Sequence, residues 1–253
     1  INRLSLGIQS FNPLHLQALG RIHDANEARR AVELAREYFE NINLDLMYAL
    51  PGQSLDEALL DLRTAVSYGP QHLSAYHLTI EPNTWFYHHP PQLPDDDLSA
   101  RMQEEIENLL ADSGYQHYET SAFSLANQNC RHNLNYWLFG DYLGIGAGAH
   151  SKLTLPGRIL RQARQRQPQA YMDAVSRGAP LHGEHALGAA DLGFEFMMNA
   201  LRLTGGFALE MFSRRTGLSL VEVLPRVELA ERRGLLVRDG GGLKPTLLGQ
   251  RFL

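Results

Sequence analysis

Apolar and polar residues alternate from the start of the chain. Leu4, Leu6 and Ile8 fall on one face of a strand over 1–9, and Arg3, Ser5, Gly7 and Gln9 on the other. The period then changes. Ala28, Ala31, Val32, Ala35 and Phe39 form a single stripe, which predicts a helix over 25–39. Asp24 is suited to its N-cap, with Glu27 three residues on. Alternation returns at 42–48, where Ile42, Leu44 and Leu46 interleave with Asn43, Asp45 and Met47. The turn Pro51-Gly52-Gln53 follows, and the capping box Ser54-Leu55-Asp56-Glu57 opens a helix that turns Leu59, Leu62 and Val66 inward. A third strand is expected over 72–80. Strands and helices in this order mean βαβ units and a parallel sheet.

Beyond that sheet the pattern loosens. Pro82, Pro90, Pro91 and Pro94 mark a long loop, a helix is expected over 97–113 ending at Gly114, and 115–120 reads as a strand. A polar loop leads to His132-Asn133-Leu134-Asn135-Tyr136-Trp137, and a glycine-rich segment occupies 144–150. From Leu187 short helices and two β-like segments, 235–238 and 243–246, suggest a winged-helix-like end. We therefore expect an α/β domain over 1–180 and a small helical domain over 181–253. The chain enters a strand pattern at Ile1 and ends in an apolar stretch, so we expect a piece of a longer protein.

Composition narrows the function classes. No apolar run reaches the roughly 18 residues of a membrane helix. With no leader pattern, the expected location is the cytoplasm, with membrane contact only through a partner. The net charge of -5 argues against a nucleic-acid partner. Cys130 is the single cysteine, which excludes a disulfide framework and any cysteine-only metal site made by this chain.

Gln9, Asp45 and Thr79 each sit near the C-terminal end of an expected parallel strand, on its more polar face. In a closed or partial barrel that face points inward, and those ends form the ligand site. Asp45 fits a ligand-facing carboxylate or one bonded to backbone amides. Arg21, in the loop after the first strand, suits a ligand carboxylate or plain solvent. His132 offers an axial ligand for haem iron beside aromatic surface, or belongs to a polar loop pinned by its Asn neighbours and packed by Trp137. The histidines lack a His-x-x-x-His pair, which argues against a histidine zinc site. Gly144-x-Gly146-x-x-Ala149 matches a dinucleotide fingerprint in form, but no helix pattern follows it. Arg158, Arg161, Arg164 and Arg166 have near-helical spacing and read as one basic face, solvated or facing acidic groups such as propionates.

Several stretches taken together carry a resemblance. They are Asn2-Arg3-Leu4-Ser5-Leu6-Gly7-Ile8-Gln9-Ser10-Phe11, Asn43-Leu44-Asp45-Leu46-Met47-Tyr48 with Leu50-Pro51-Gly52-Gln53, and Leu78-Thr79-Ile80-Glu81-Pro82-Asn83-Thr84. Tyr118-Glu119-Thr120-Ser121-Ala122 and Cys130-Arg131-His132-Asn133-Leu134-Asn135-Tyr136-Trp137 follow in the same order. Over its whole length the chain resembles the HemW family of radical SAM haem chaperones, relatives of the oxygen-independent coproporphyrinogen III oxidase. The resemblance implies the C-terminal part of a partial (β/α)6 barrel followed by a small winged-helix-like domain. It implies S-adenosylmethionine, a 4Fe-4S cluster and haem as cofactors, and apo-haemoproteins of the respiratory chain as partners. Gln9, Arg21, Asp45 and Thr79 match S-adenosylmethionine contacts, and His132 matches a haem-contacting histidine. His150 matches a position beside a second-ligand site, where the oxidase has an apolar residue. The family's Cys-x-x-x-Cys-x-x-Cys loop and Gly-Gly-Gly-Thr-Pro segment would precede Ile1, which leaves this chain without cluster ligands and, we expect, without catalysis. The alternatives are the oxidase itself, which decarboxylates propionates by a 5′-deoxyadenosyl radical, and a barrel piece with neither activity.

Overall fold

A computed structural model describes residues 1–252 and divides into two compact units, Ile1–Cys130 and Arg131–Leu253. In the first, β1 (Leu4–Gln9), α1 (Pro13–Ala18), α2 (Ala25–Tyr38), β2 (Ile42–Tyr48), α3 (Leu55–Ser67) and β3 (His72–His77) follow in order. Then come α4 (Trp85–His88), α5 (Asp96–Asp112), β4 (Gln116–Glu119) and β5 (Ala122–Ser124). The strands form one sheet in the order β1-β2-β3-β5-β4, parallel from β1 to β3 and antiparallel beyond.

Both capping boxes form: Asp24 and Ser54 each cap their helix, and Glu27 and Glu57 bond back. One sheet face packs on the helices. Leu44, Leu46 and Leu73 share a core with Val32 of α2, Leu62 of α3 and Ile106 of α5. The register fixes the other face. Ser5 and His72 stand opposite Asn43, while Gly7 and Ser74 stand opposite Asp45. In a parallel pair these side chains project together, so the polar residues gather on the face away from the helices.

The second unit contains α6 (Arg131–Trp137), β6 (His150–Leu155), β7 (Arg158–Arg164), α7 (Pro168–Ser176) and β8 (Leu181–Ala186). It continues with α8 (Ala189–Ala200), β9 (Phe207–Ala208), α9 (Glu210–Thr216), α10 (Leu224–Arg232), β10 (Leu236–Asp239), β11 (Gly242–Pro245) and α11 (Leu247–Gln250). β6, β7 and β8 make an antiparallel meander, and β9 joins the β10–β11 hairpin. Phe139 and Ile159 pack with Phe196, Phe212 and Val227 in one core. That packing places the meander with the C-terminal helices, so the compact units divide at Cys130/Arg131 where the sequence reading drew its line at 180/181.

Three expectations need correction. The third strand ends at His77, so Thr79 lies beyond it, exposed. The segment around His132 is the helix α6, not a loop. Arg158, Arg161 and Arg164 lie in strand β7 rather than on a helical face, and Arg166 follows it. Pro156-Gly157, with Gly157 at φ +75°, closes a hairpin between Leu155 and Arg158. Pro and Gly suit the two central positions of such a turn, and cross-strand pairing then overrides the threefold spacing of the arginines.

Candidate functional site

The polar face of the first unit is a connected network. Ser5 Oγ donates to Asp45 Oδ2 at 2.7 Å. Asn43 Nδ2 donates to Asp45 Oδ1 at 2.8 Å and to Ser5 Oγ at 2.7 Å. The amide orientation leaves Asn43 Oδ1 to face His72 Nδ1 at 2.6 Å and to accept from Ser74 Oγ at 3.2 Å. His72 Nδ1 therefore carries the proton, and Nε2 accepts from the Tyr118 hydroxyl at 2.7 Å. The Tyr118 oxygen in turn accepts the Cys130 N–H at 3.3 Å. Burial pushes the His72 imidazole down to about 3 and Tyr118 up to about 12, so both stay neutral across the physiological range.

At the C-terminal end of β1, Gln9 adopts φ +67°, a left-handed conformation that non-glycine residues avoid. The ladder shifts register between Gly7 and Gln9. The Gln9 side chain folds back over Gly7, where an added Cβ would lie 2.8 Å from Nε2. Because Gly7 stands opposite Asp45, the Gln9 amide and the Asp45 carboxylate share the polar face. Gln9 is buried, and its amide makes no hydrogen bond among the described residues. Asp45 is half-buried, and a carboxylate has acceptor capacity beyond the two groups bound here. A polar ligand laid on this face meets a free amide and a carboxylate fixed by its neighbours. Arg21 is exposed after α1, its backbone N–H bonded to Leu16 O at 3.0 Å, and among the described residues no contact ties its guanidinium or Thr79 to the network.

In the second unit His132 is exposed on α6. Its ring meets Tyr136 edge-on with centroids 4.9 Å apart, and Tyr136 meets Tyr142 at 4.6 Å. One helical turn separates 132 from 136, which puts both on one side of α6. Arg161 Nη1 donates to the Tyr142 hydroxyl at 2.7 Å, and Arg161 pairs with Glu195 through Nε and Nη2. The imidazole makes no hydrogen bond among the described residues, leaving both ring nitrogens to solvent or a metal. His150 is exposed at the start of β6, across a glycine-rich turn from Gly144. A Cβ on Gly144 would collide with the His150 backbone, and Gly144 N–H donates to Ser151 Oγ at 3.0 Å. This segment is a tight structural turn, with β6 following it rather than a helix.

His72, whose partners come from β2 and β4, and Tyr142 are not legible in the sequence, and Arg161 reads there only as part of a basic face, because its pairing depends on the meander. Sequence reasoning also missed Asp61, although Asp61 falls on the stripe of Ala58, Leu62 and Ala65, where an acidic residue stands out.

The radical SAM superfamily model matches residues 1–65, and the HemN C-terminal domain model matches residues 187–252. A "Heme chaperone HemW" of Haemophilus influenzae is 47% identical over all of this chain and 66% of its own length. A "Putative heme chaperone HemW-like protein" of Buchnera aphidicola subsp. Baizongia pistaciae is 36% identical over all of this chain and 67% of its own length. The chain belongs to the HemW family. It spans about two thirds of the length of the curated HemW relatives it matches. Among solved structures, the coproporphyrinogen III oxidase HemN of Escherichia coli, described as a radical SAM enzyme, superposes with a TM-score of 0.78 at 21% identity, over 99% of this chain and 62% of that one. That likeness establishes the shared fold.

Radical SAM membership implies S-adenosylmethionine and a 4Fe-4S cluster, and HemW membership implies haem. The polar face fits the first: it offers a free amide and an oriented carboxylate. The exposed imidazole fits haem iron. The cluster does not fit the residues here. Cys130 is the single cysteine, and no group of three or more His, Cys, Asp or Glu side chains among the described residues is placed to hold a metal. No helix among the described residues is long and apolar enough to cross a membrane.

Proposed function

We propose that this chain belongs to a haem chaperone, in which it binds haem through His132 and releases it to apo-haemoproteins. S-adenosylmethionine occupies the polar face of the first unit, contacted by Gln9 and Asp45, with Arg21 and Thr79 at its margin. The observation that carries the haem reading is the exposed His132 imidazole at the end of a run of packed aromatic rings, Tyr136 then Tyr142. A neutral imidazole ligates haem iron, and flanking aromatic surface suits a flat macrocycle. Delivery requires that the haem be given up again, and an exposed ligand on a helix surface leaves its edge open to an acceptor.

The test is a haem titration followed at the Soret band. His132→Ala should bind at least about tenfold more weakly, a difference of about 1.4 kcal/mol, and should lose the ligation-dependent Soret shift. His150→Ala serves as the control and should titrate like the wild type. Equal affinity and equal spectra for all three proteins would leave His132 as a surface residue of α6.

A further inference from the structure

Gln9 is the strained residue of the polar face, and the structure shows what keeps it there. Ser10 N–H donates to Ile8 O at 2.9 Å, closing a three-residue turn around Gln9 at φ +67°. Turns of this hand are rare and strained for a residue with a Cβ. Such a conformation persists only where the surroundings over-determine it. Before Gln9, His23 Nε2 lies 3.2 Å from the turn-closing Ile8 O; after it, the hold is one carboxylate. Asp61 Oδ2 accepts the Ser10 hydroxyl at 2.5 Å, and Oδ1 accepts the Phe11 N–H at 2.8 Å. Ser10 Oγ in turn accepts the Asn12 N–H at 3.0 Å. The three residues after Gln9 are thus tied, directly or through one hydroxyl, to a single side chain of α3.

Asp61 is an expensive choice for that position. It is 3% exposed, on the core-facing stripe of α3, where Leu62 and Ala65 pack beside it. Burial pushes its carboxyl above the usual range against the opposing pull of the Ser10 and Phe11 bonds. His15 of α1 and Glu57 of α3 stand nearby, with His15 Nε2 3.7 Å from Glu57 Oε1, but neither bonds Asp61. An apolar residue would pack at this point without the cost of burying a charge. What Asp61 supplies, and an apolar residue would not, is the pair of acceptors for Ser10 and Phe11.

We propose that Asp61 is a positioning residue, holding the strained turn that presents the Gln9 amide to the ligand of the polar face. The proposal rests on the reading of that ligand as S-adenosylmethionine. Two measurements on the whole chain test it: residue-resolved amide hydrogen exchange, and equilibrium dialysis against labelled S-adenosylmethionine. In Asp61→Leu, the Ser10, Phe11 and Asn12 amides should lose protection while β2 and α3 keep theirs. Affinity should fall about tenfold, as it does in Gln9→Ala, and the double variant should be no weaker than either single one, because both act through the same amide. Asp61→Asn can still accept the Phe11 N–H, so it should fall between the wild type and Asp61→Leu on both readouts. If Asp61→Leu fails to fold, Asp61→Asn is judged alone by the same criteria. Unchanged protection at 10–12, or a loss of affinity that adds in full to that of Gln9→Ala, overturns the role of Asp61. Equal binding by the wild type and Gln9→Ala, with exchange at 10–12 still opened by Asp61→Leu, instead sinks the ligand reading and leaves the hold on the turn intact.

Discussion

His72 shows how one side chain can set the acid behaviour of the first unit. It is 1% exposed, with Asn43 Oδ1 on one ring nitrogen and the Tyr118 hydroxyl on the other. Its folded pKa of about 3 lies below the ordinary 6.5, chiefly through burial, with the nearby Arg3 charge adding to it. The unfolded chain therefore takes up a proton at this site below pH 6.5 that the folded chain refuses until about pH 3. Stability is lost as pH falls through that window, with a slope of at most about 1.4 kcal/mol per pH unit from this one site. His72→Phe removes the titration, takes the acceptor from the buried Tyr118 hydroxyl and leaves Asn43 Oδ1 with the Ser74 bond alone. We expect it to cost about 1–3 kcal/mol at pH 7 and to flatten the dependence between pH 6 and pH 4. Urea midpoints across that range decide the matter: a variant that tracks the wild-type slope would assign the acid sensitivity to other groups.

At the scale of elements, what the sequence made legible was whatever depends on local order. The strand at 42–48, the helices capped by Asp24 and Ser54, and the polar face carrying Asp45 all follow from periodicity and capping, which act within a few residues. The β6–β8 meander was not legible, because its evidence is pairing between distant segments. Arg161 reads as part of a charged run until the register sets it opposite Lys152. Lys152 itself is 2% exposed, an improbable place for a lysine. Its ammonium donates to Phe139 O at 3.0 Å and Asp141 Oδ1 at 3.0 Å, and lies 4.2 Å from the centre of the Phe139 ring. It pins β6 to the segment leaving α6. Lys152→Met keeps the packing against Phe139 and loses these two bonds and the longer one to Thr154 Oγ1 at 3.4 Å. Asp141 is partly solvated and keeps its bonds from Thr154, so the loss should be about 1–3 kcal/mol rather than that of a fully buried pair. A urea midpoint equal to that of the wild type would show that the ammonium contributes nothing to holding β6.

For the whole molecule, binding and chemistry separate. The groups proposed to contact S-adenosylmethionine and haem are side chains of this chain, whereas splitting the sulfonium of S-adenosylmethionine takes an electron from the family's 4Fe-4S cluster. Such clusters are held by several thiolates. This chain has one, Cys130, which is partly buried and follows the loop after β5, with its N–H donating to Tyr118. A lone thiol cannot replace a set, and no cluster of other ligands stands in for it among the described residues. The 253-residue chain, treated with iron and sulfide without oxygen and reduced with dithionite, should therefore form no 5′-deoxyadenosine. The same preparation should still bind S-adenosylmethionine in dialysis and haem at the Soret band, since neither the Gln9–Asp45 face nor His132 depends on a thiolate. Dithionite-dependent 5′-deoxyadenosine would mean that Cys130 and oxygen or nitrogen ligands suffice for a working cluster. Loss of both kinds of binding alongside the chemistry would mean instead that the cluster organises those sites, and that the polar face and the α6 surface are not binding sites on their own.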